Sequence, residues 1–247
     1  MCRVPSIGVI THAAVVPHPP LLVPELVPGM VDATAAVRTA CVAAARRLAE
    51  VAGHWLAIGA DACPGRMRPP ARGTFAGYGV DVPVTLSRSA PAELTDLPLP
   101  ALVAAWLRER AGAESVEVEL LAVNAGAAGD ADRDRLVDRL AAVDGATDPV
   151  GLLVLGDGAN RHGPRAPGGE DDRAPGFDRA VGAALGTADT AALLALDPEL
   201  AAELGAGGRV PWQVLAALAA PGRWRARLLY SAAPFGVGYH VAVWERR

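Results

Sequence analysis

Residues Ser6 to Leu26 read SIGVITHAAVVPHPPLLVPEL, and this stretch decides the fold. The run from Ile7 to Val16 is rich in Val, Ile and Thr, residues that fill a pleated, half-buried surface well. It stops at Pro17-His18-Pro19-Pro20. Proline has no amide hydrogen to give to a ladder, so the strand ends there and a proline-rich loop begins. His18 therefore stands at the C-terminal end of a strand, where open α/β sheets bind ligands. Its flanking prolines restrict the backbone and help to aim the ring. A loop histidine with no partner is the simpler reading of the same residue.

Outward from this stretch, strands and helices alternate. Gly29 to Ala52 has a regular apolar spacing that predicts a helix with one buried face, closed by Gly53. His54 to Ile58 reads as a second strand, ending at Gly59-Ala60-Asp61. Residues 62–80, rich in Gly, Pro and Arg and without periodicity, read as a long loop. Asp81–Leu86 is a third strand, Leu99–Ala111 a helix with Trp106 on its apolar side, and Ser115–Val123 an alternating strand. Ala131–Val143 reads as an amphipathic helix. GLLVL at Gly151–Leu155 is the continuous apolar run of a parallel strand buried on both faces, leading into a tight turn at Gly156-Asp157-Gly158. Beyond a loop over 160–176, helices are predicted at Phe177–Leu185, Thr190–Leu204 and Pro211–Ala219. Two antiparallel strands, Arg225–Ser231 and Val237–Glu245, close the chain. This order predicts an α/β fold: a single domain over 1–247 with a mixed β-sheet flanked by helices.

Composition narrows the function classes. The chain is 51% hydrophobic but only 4% aromatic, so its core is built from Ala, Val and Leu. Net charge is −4, and every basic side chain is Arg, scattered among acids rather than gathered in a stripe. No nucleic-acid surface is expected from that distribution. No run of about 20 uninterrupted apolar residues exists, which argues against a membrane span. The first apolar run is broken by His12 and by prolines, unlike a secretory signal. Cys2, Cys41 and Cys63 form no CxxC and cannot all pair, which leads to an expectation of a reduced, cytoplasmic protein.

The chemical candidates gather at predicted strand ends. His18, Asp61 and Asp157 each follow a strand, and a His with carboxylates suits a hard or borderline divalent metal. His12 and His18 are six residues apart, which on an uninterrupted strand would place both on one face of a common pocket. Gly156-Asp157-Gly158 lacks the Lys-Ser/Thr ending of a phosphate loop, and Gly236-x-Gly238 is not followed by a helix. His54 and His240 lie within strands and read as packing residues.

Several of these segments together carry a resemblance. VVPHPPLLVPEL, then LLVLGDGANRHGPRAPGG with Phe177-Asp178, then ALDPELAAELGAGG and YSAAPFGVGYHVAVW resemble the class III extradiol ring-cleavage dioxygenases. The likeness is to the protocatechuate 4,5-dioxygenase catalytic type, closest to its Memo-like branch, and it runs nearly end to end. The resemblance implies a non-haem Fe(II) held by two His and one Glu, with a further His as acid/base and open positions for a catecholate and O2. Carried over by position, His18 matches the first metal His. The second falls at Asp61, the acid/base His at Asn160 and the ligand Glu near Ala206. Three of four functional positions are thus substituted. Ala206 ligates nothing, and Asn160 does not shuttle protons near neutral pH. His162 and Glu203 are the nearest substitutes, as acid/base and metal ligand respectively.

Three functions remain open from the sequence. The favoured expectation is a dioxygenase-like protein with a degenerate metal site, keeping a pocket for a small aromatic ligand at the strand ends. The second is an active oxygenase or hydrolase using Fe(II) or another divalent metal in a rearranged site of His18, Asp61 and either His162 or Glu203. The third is a non-catalytic component of a multi-chain assembly, with a homo-oligomer as the simpler form of association.

Overall fold

The fold was determined as a computed structural model, which describes residues 8–63, 65–89, 91, 93–124, 129–141 and 146–247. The opening strand β1 (Gly8–Val16) ends where Pro17 denies the sheet a donor. Its proline-rich sequel coils through three short 3₁₀ turns into helix α1 (Val31–Ala49). Strand β2 (His54–Ala60) follows. The segment read as one long loop instead contains the short strands β3 (Gly65–Met67) and β4 (Arg72–Thr74). Next come β5 (Pro83–Thr85), α2 (Leu99–Arg110), β6 (Glu117–Val123), α3 (Gly129–Ala141) and β7 (Ala146–Leu155). The chain closes with α4 (Ala174–Thr187), α5 (Thr190–Leu194), α6 (Pro198–Glu203), α7 (Arg209–Ala219), β8 (Trp224–Ala232) and β9 (Tyr239–Arg246).

Seven strands form one mixed sheet in the order β3-β6-β2-β7-β1-β9-β8. Its heart, β6-β2-β7-β1, is parallel, while β3, β9 and β8 run antiparallel at the flanks. β4 and β5 pair separately as a two-stranded ribbon, so the predicted third strand lies outside the main sheet. The expected α/β class, with one mixed sheet between helices, is therefore the observed one.

The alternation of side chains along each strand builds two cores. Ala14, Val16, Trp55, Ala57, Leu153 and Leu155 face α1 and α2. Ala13, Val15, Leu56, Ile58, Leu152 and Val154 face the helices of the other layer, α3 to α7. On α1 the buried set Val37, Cys41, Ala44, Ala45 and Leu48 recurs at three- and four-residue intervals, giving one stripe against the sheet. Each fully buried Leu or Val stabilises by about 1.5–3 kcal/mol relative to exposure, so β7 alone, with four such residues in a row, anchors the sheet's centre.

Four local expectations change. The predicted Thr190–Leu204 helix is broken into α5 and α6, because Pro198 cannot continue a helix and Asp197 caps a new one through Glu199 N (2.8 Å) and Leu200 N (3.1 Å). α1 ends at Ala49 before Gly53, which has no capping role. β6 is not half-wet: both its faces are buried, and the carboxylate of Glu119 is sealed by Arg66 from the edge strand β3. Gly156-Asp157-Gly158 is not a tight turn. It runs on in extended form, Gly156 N donating to Val16 O (3.0 Å) and Gly158 N to Gly238 O (2.7 Å). Among the described residues no helix is long and apolar enough to cross a membrane.

Candidate functional site

Because β1, β2, β6 and β7 are parallel neighbours, their C-terminal ends open on one edge of the sheet. There, a cleft of about 480 Å³ is lined by His18, Asp61, Asn124, Asp157, Asn160 and the backbone at Gly205 and Gly207. The sequence placed His18, Asp61 and Asp157 at strand ends, and the fold brings those ends together. Asn160 reaches the same cleft from the loop after β7.

His18 is nine-tenths buried, with 9% of its surface exposed. Its backbone N–H donates to Asp157 Oδ1 at 2.9 Å, which ties the ends of β1 and β7 together. Its ring Nδ1 lies 3.9 Å from the same oxygen and has no hydrogen-bond partner. Asp61 Oδ1 accepts from Cys63 N at 2.9 Å, and its own N–H donates to Val123 O. Asn160 Oδ1 is also buried without a partner. Gly168 and Gly205 close directly on the Asn160 amide. A Cβ on Gly205, whose φ is +64°, would sit 2.5 Å from that amide's nitrogen and oxygen. Only glycine combines that φ with that approach. Unpartnered buried polar atoms cost free energy, and at a cleft they mark places for a ligand's own donors and acceptors.

The other expected site residues lie elsewhere. His12 is four residues upstream of the strand end, roughly 13 Å along β1, and bonds Thr11 Oγ1 rather than lining the cleft. Glu203 is an exposed residue of α6 held by Arg173 at 2.7 Å, so it does not swing in as a ligand. His162 turns away from the cleft: its Nε2 donates to Asp178 Oδ2 at 2.5 Å, and its N–H donates to Gly236 O.

That Asp178 is a centre the sequence reading missed. It is 5% exposed on the second turn of α4 and receives Ala159 N (3.2 Å), His162 Nε2 and His240 Nε2 (3.2 Å). With both imidazoles donating to the carboxylate, His240 Nδ1 is the acceptor of the Ser231 hydroxyl at 2.9 Å. His240, read as a packing residue, is thus a buried hydrogen-bonded link. Gly158 and Gly238 admit the carboxylate, since a Cβ at either would overlap it. The signal was present in the Gly-x-Gly spacings around Asp157 and Val237, but nothing in them named Asp178. The network holds Ala159, and with it the neighbouring Asp157 and Asn160, in place beneath the cleft.

The residues present do not fit an Fe(II) centre. Among the described residues, His18 Nδ1 is the one orphaned imidazole nitrogen in the cleft, and Asn160 and Ala206 replace groups the resemblance requires. Among the described residues no three His, Cys, Asp or Glu side chains converge in an arrangement that could hold a metal ion.

Against known proteins, no family model matches the chain and no curated protein matches it. Among solved structures, it is similar to the uncharacterized protein JW3007 from Escherichia coli K12, at 13% identity over 95% of this chain and 99% of that one, with a TM-score of 0.47.

Proposed function

We propose that this chain binds a small molecule in its strand-end cleft and does not carry out Fe(II)-dependent ring cleavage, on a scaffold of the extradiol-dioxygenase type. One observation carries the reading: a largely buried His18 whose Nδ1 is unpartnered lines a cleft with Asp61, Asp157 and Asn160, without the convergent donors an iron site needs. The parallel sheet supports it, because ligands of such sheets bind outside the carboxyl ends of the strands. Against a rearranged metal site stand the existing partners of its two candidate substitutes, Asp178 for His162 and Arg173 for Glu203.

The test is metal analysis of protein purified from its native host without chelator, followed by a catechol ring-opening assay after anaerobic Fe(II) loading. Substoichiometric iron and no ring-opened product are expected, together with ligand-induced thermal stabilisation that His18→Ala removes. One equivalent of Fe(II) with catechol turnover overturns the proposal.

A further inference from the structure

The strand-end cleft does not end at Asp61. A second cavity, of about 510 Å³, is lined by the same Asp61 together with Thr74, Tyr78, Asp96 and the Leu97–Leu99 turn before α2. Among the described residues, the charged side chains across the two compartments are Asp61, Asp96 and Asp157, and no Arg lines either one. This holds in a chain whose 23 basic residues are all Arg. Among the described residues, Asp61 and Asp96 make no ion pair; Asp61 receives only the Cys63 amide.

Both carboxylates face Tyr78. Burial raises the Tyr78 hydroxyl above its usual range, and the charges of Asp61 and then Asp96 push it further the same way. The Tyr78 ring is 44% exposed, so an aromatic face stands beside two uncompensated negative charges. A cation over such a ring gains from its quadrupole as well as from the carboxylates. The acids are spread along the cleft rather than clustered on one point, and they hold no metal-binding arrangement. Independently, the unpartnered Nδ1 of buried His18 marks the far compartment as ligand-facing.

We infer that the cleft selects an organic cation: an amine on an apolar or aromatic body, its ammonium group between Asp61 and Asp96 and its body reaching toward His18. This rests on the cleft being a ligand site, as proposed above, and adds the charge class of the ligand. A water-poor groove with one sign of charge attracts the opposite sign and rejects its own.

The experiment is calorimetric titration of the whole protein with three probes of similar body: 2-phenylethylamine, its N-acetyl derivative and 3-phenylpropanoate. Wild type, Asp61→Asn and Asp96→Asn are compared, each first checked by thermal melting. Asp96 is exposed and accepts no hydrogen bond from the fold, so its variant keeps the wild-type melting temperature. The amine is expected to bind about tenfold or more tighter than either other probe, and each Asn variant to lose about tenfold, with weaker binding at high salt. If the neutral or anionic probe binds as well as the amine, the inference falls and the cleft remains a ligand site. Amine binding indifferent to both substitutions also overturns the inference. If no probe binds, the inference and the proposed function fall together.

Discussion

Removing the Asp178 carboxylate tests whether the buried network holds the strand-end loop. Asp178→Ala leaves three donors without an acceptor: Ala159 N, His162 Nε2 and His240 Nε2. A buried donor stripped of its partner costs about 1–3 kcal/mol. The His162 side chain is 15% exposed and recovers some hydration, so the sum lies near the lower end, about 3–5 kcal/mol. That is a large part of the ~5–15 kcal/mol by which domains are stable. For a chain of this size it corresponds to a fall of roughly 8–16 °C in melting temperature. Asp178→Asn keeps one acceptor oxygen in the same volume and should lose about half as much. Urea unfolding followed by far-ultraviolet circular dichroism reads the loss, and cleft-ligand titration reads the effect on Asn160 one residue from the anchor. A loss below about 1 kcal/mol for the Ala variant, or a larger loss for Asn than for Ala, refutes the reasoning.

Two further outcomes are expected. Gly205→Ala places a side chain at φ +64° and against the Asn160 amide, so it should cost about 1–3 kcal/mol in urea unfolding and weaken cleft binding; a neutral effect would mean that this loop adapts freely. Cys41 is fully buried on α1, where burial pushes its thiol far above the usual range, whereas Cys63 is exposed. Brief alkylation at pH 8 with site-resolved mass spectrometry should label Cys63 and spare Cys41 until the protein is unfolded. Equal labelling rates would contradict the packing of α1 on the sheet.

The sheet was legible in the residues because its central strands are bounded apolar runs. GLLVL could only be satisfied by burial on both faces, and Pro17 stopped β1 where a proline must. The short elements were not legible. β3 and β4 are three residues each and are held by pairing and by the Arg66–Glu119 contact, which leave no local periodicity. The break between α5 and α6 was written in Asp197-Pro198, a cap followed by a first-turn proline, inside a run rich in Ala and Leu that masked it. For the site, chain position sufficed for His18, Asp61 and Asp157, since strand ends in a parallel sheet must meet. It failed for His162, Glu203 and His240, whose roles depend on where side chains point and which partner claims them first. Asp178 lies more than fifty residues from both Ser231 and His240 in sequence, and proximity in the chain carries no trace of that network.

The strand order also constrains how the protein is made. β7 sits between β2 and β1, yet nearly ninety residues separate the end of β2 from its start. As the nascent chain leaves the ribosome, β2 can mate with β6, but β1 waits with both of its edges open until β7, and then β9, emerge. A chain interrupted near residue 140 would carry an apolar ribbon with no neighbour, the kind of edge that recruits other chains. Long-range pairing of this sort slows folding, so much of the molecule's exposure to aggregation falls in the interval before its central strand is synthesised.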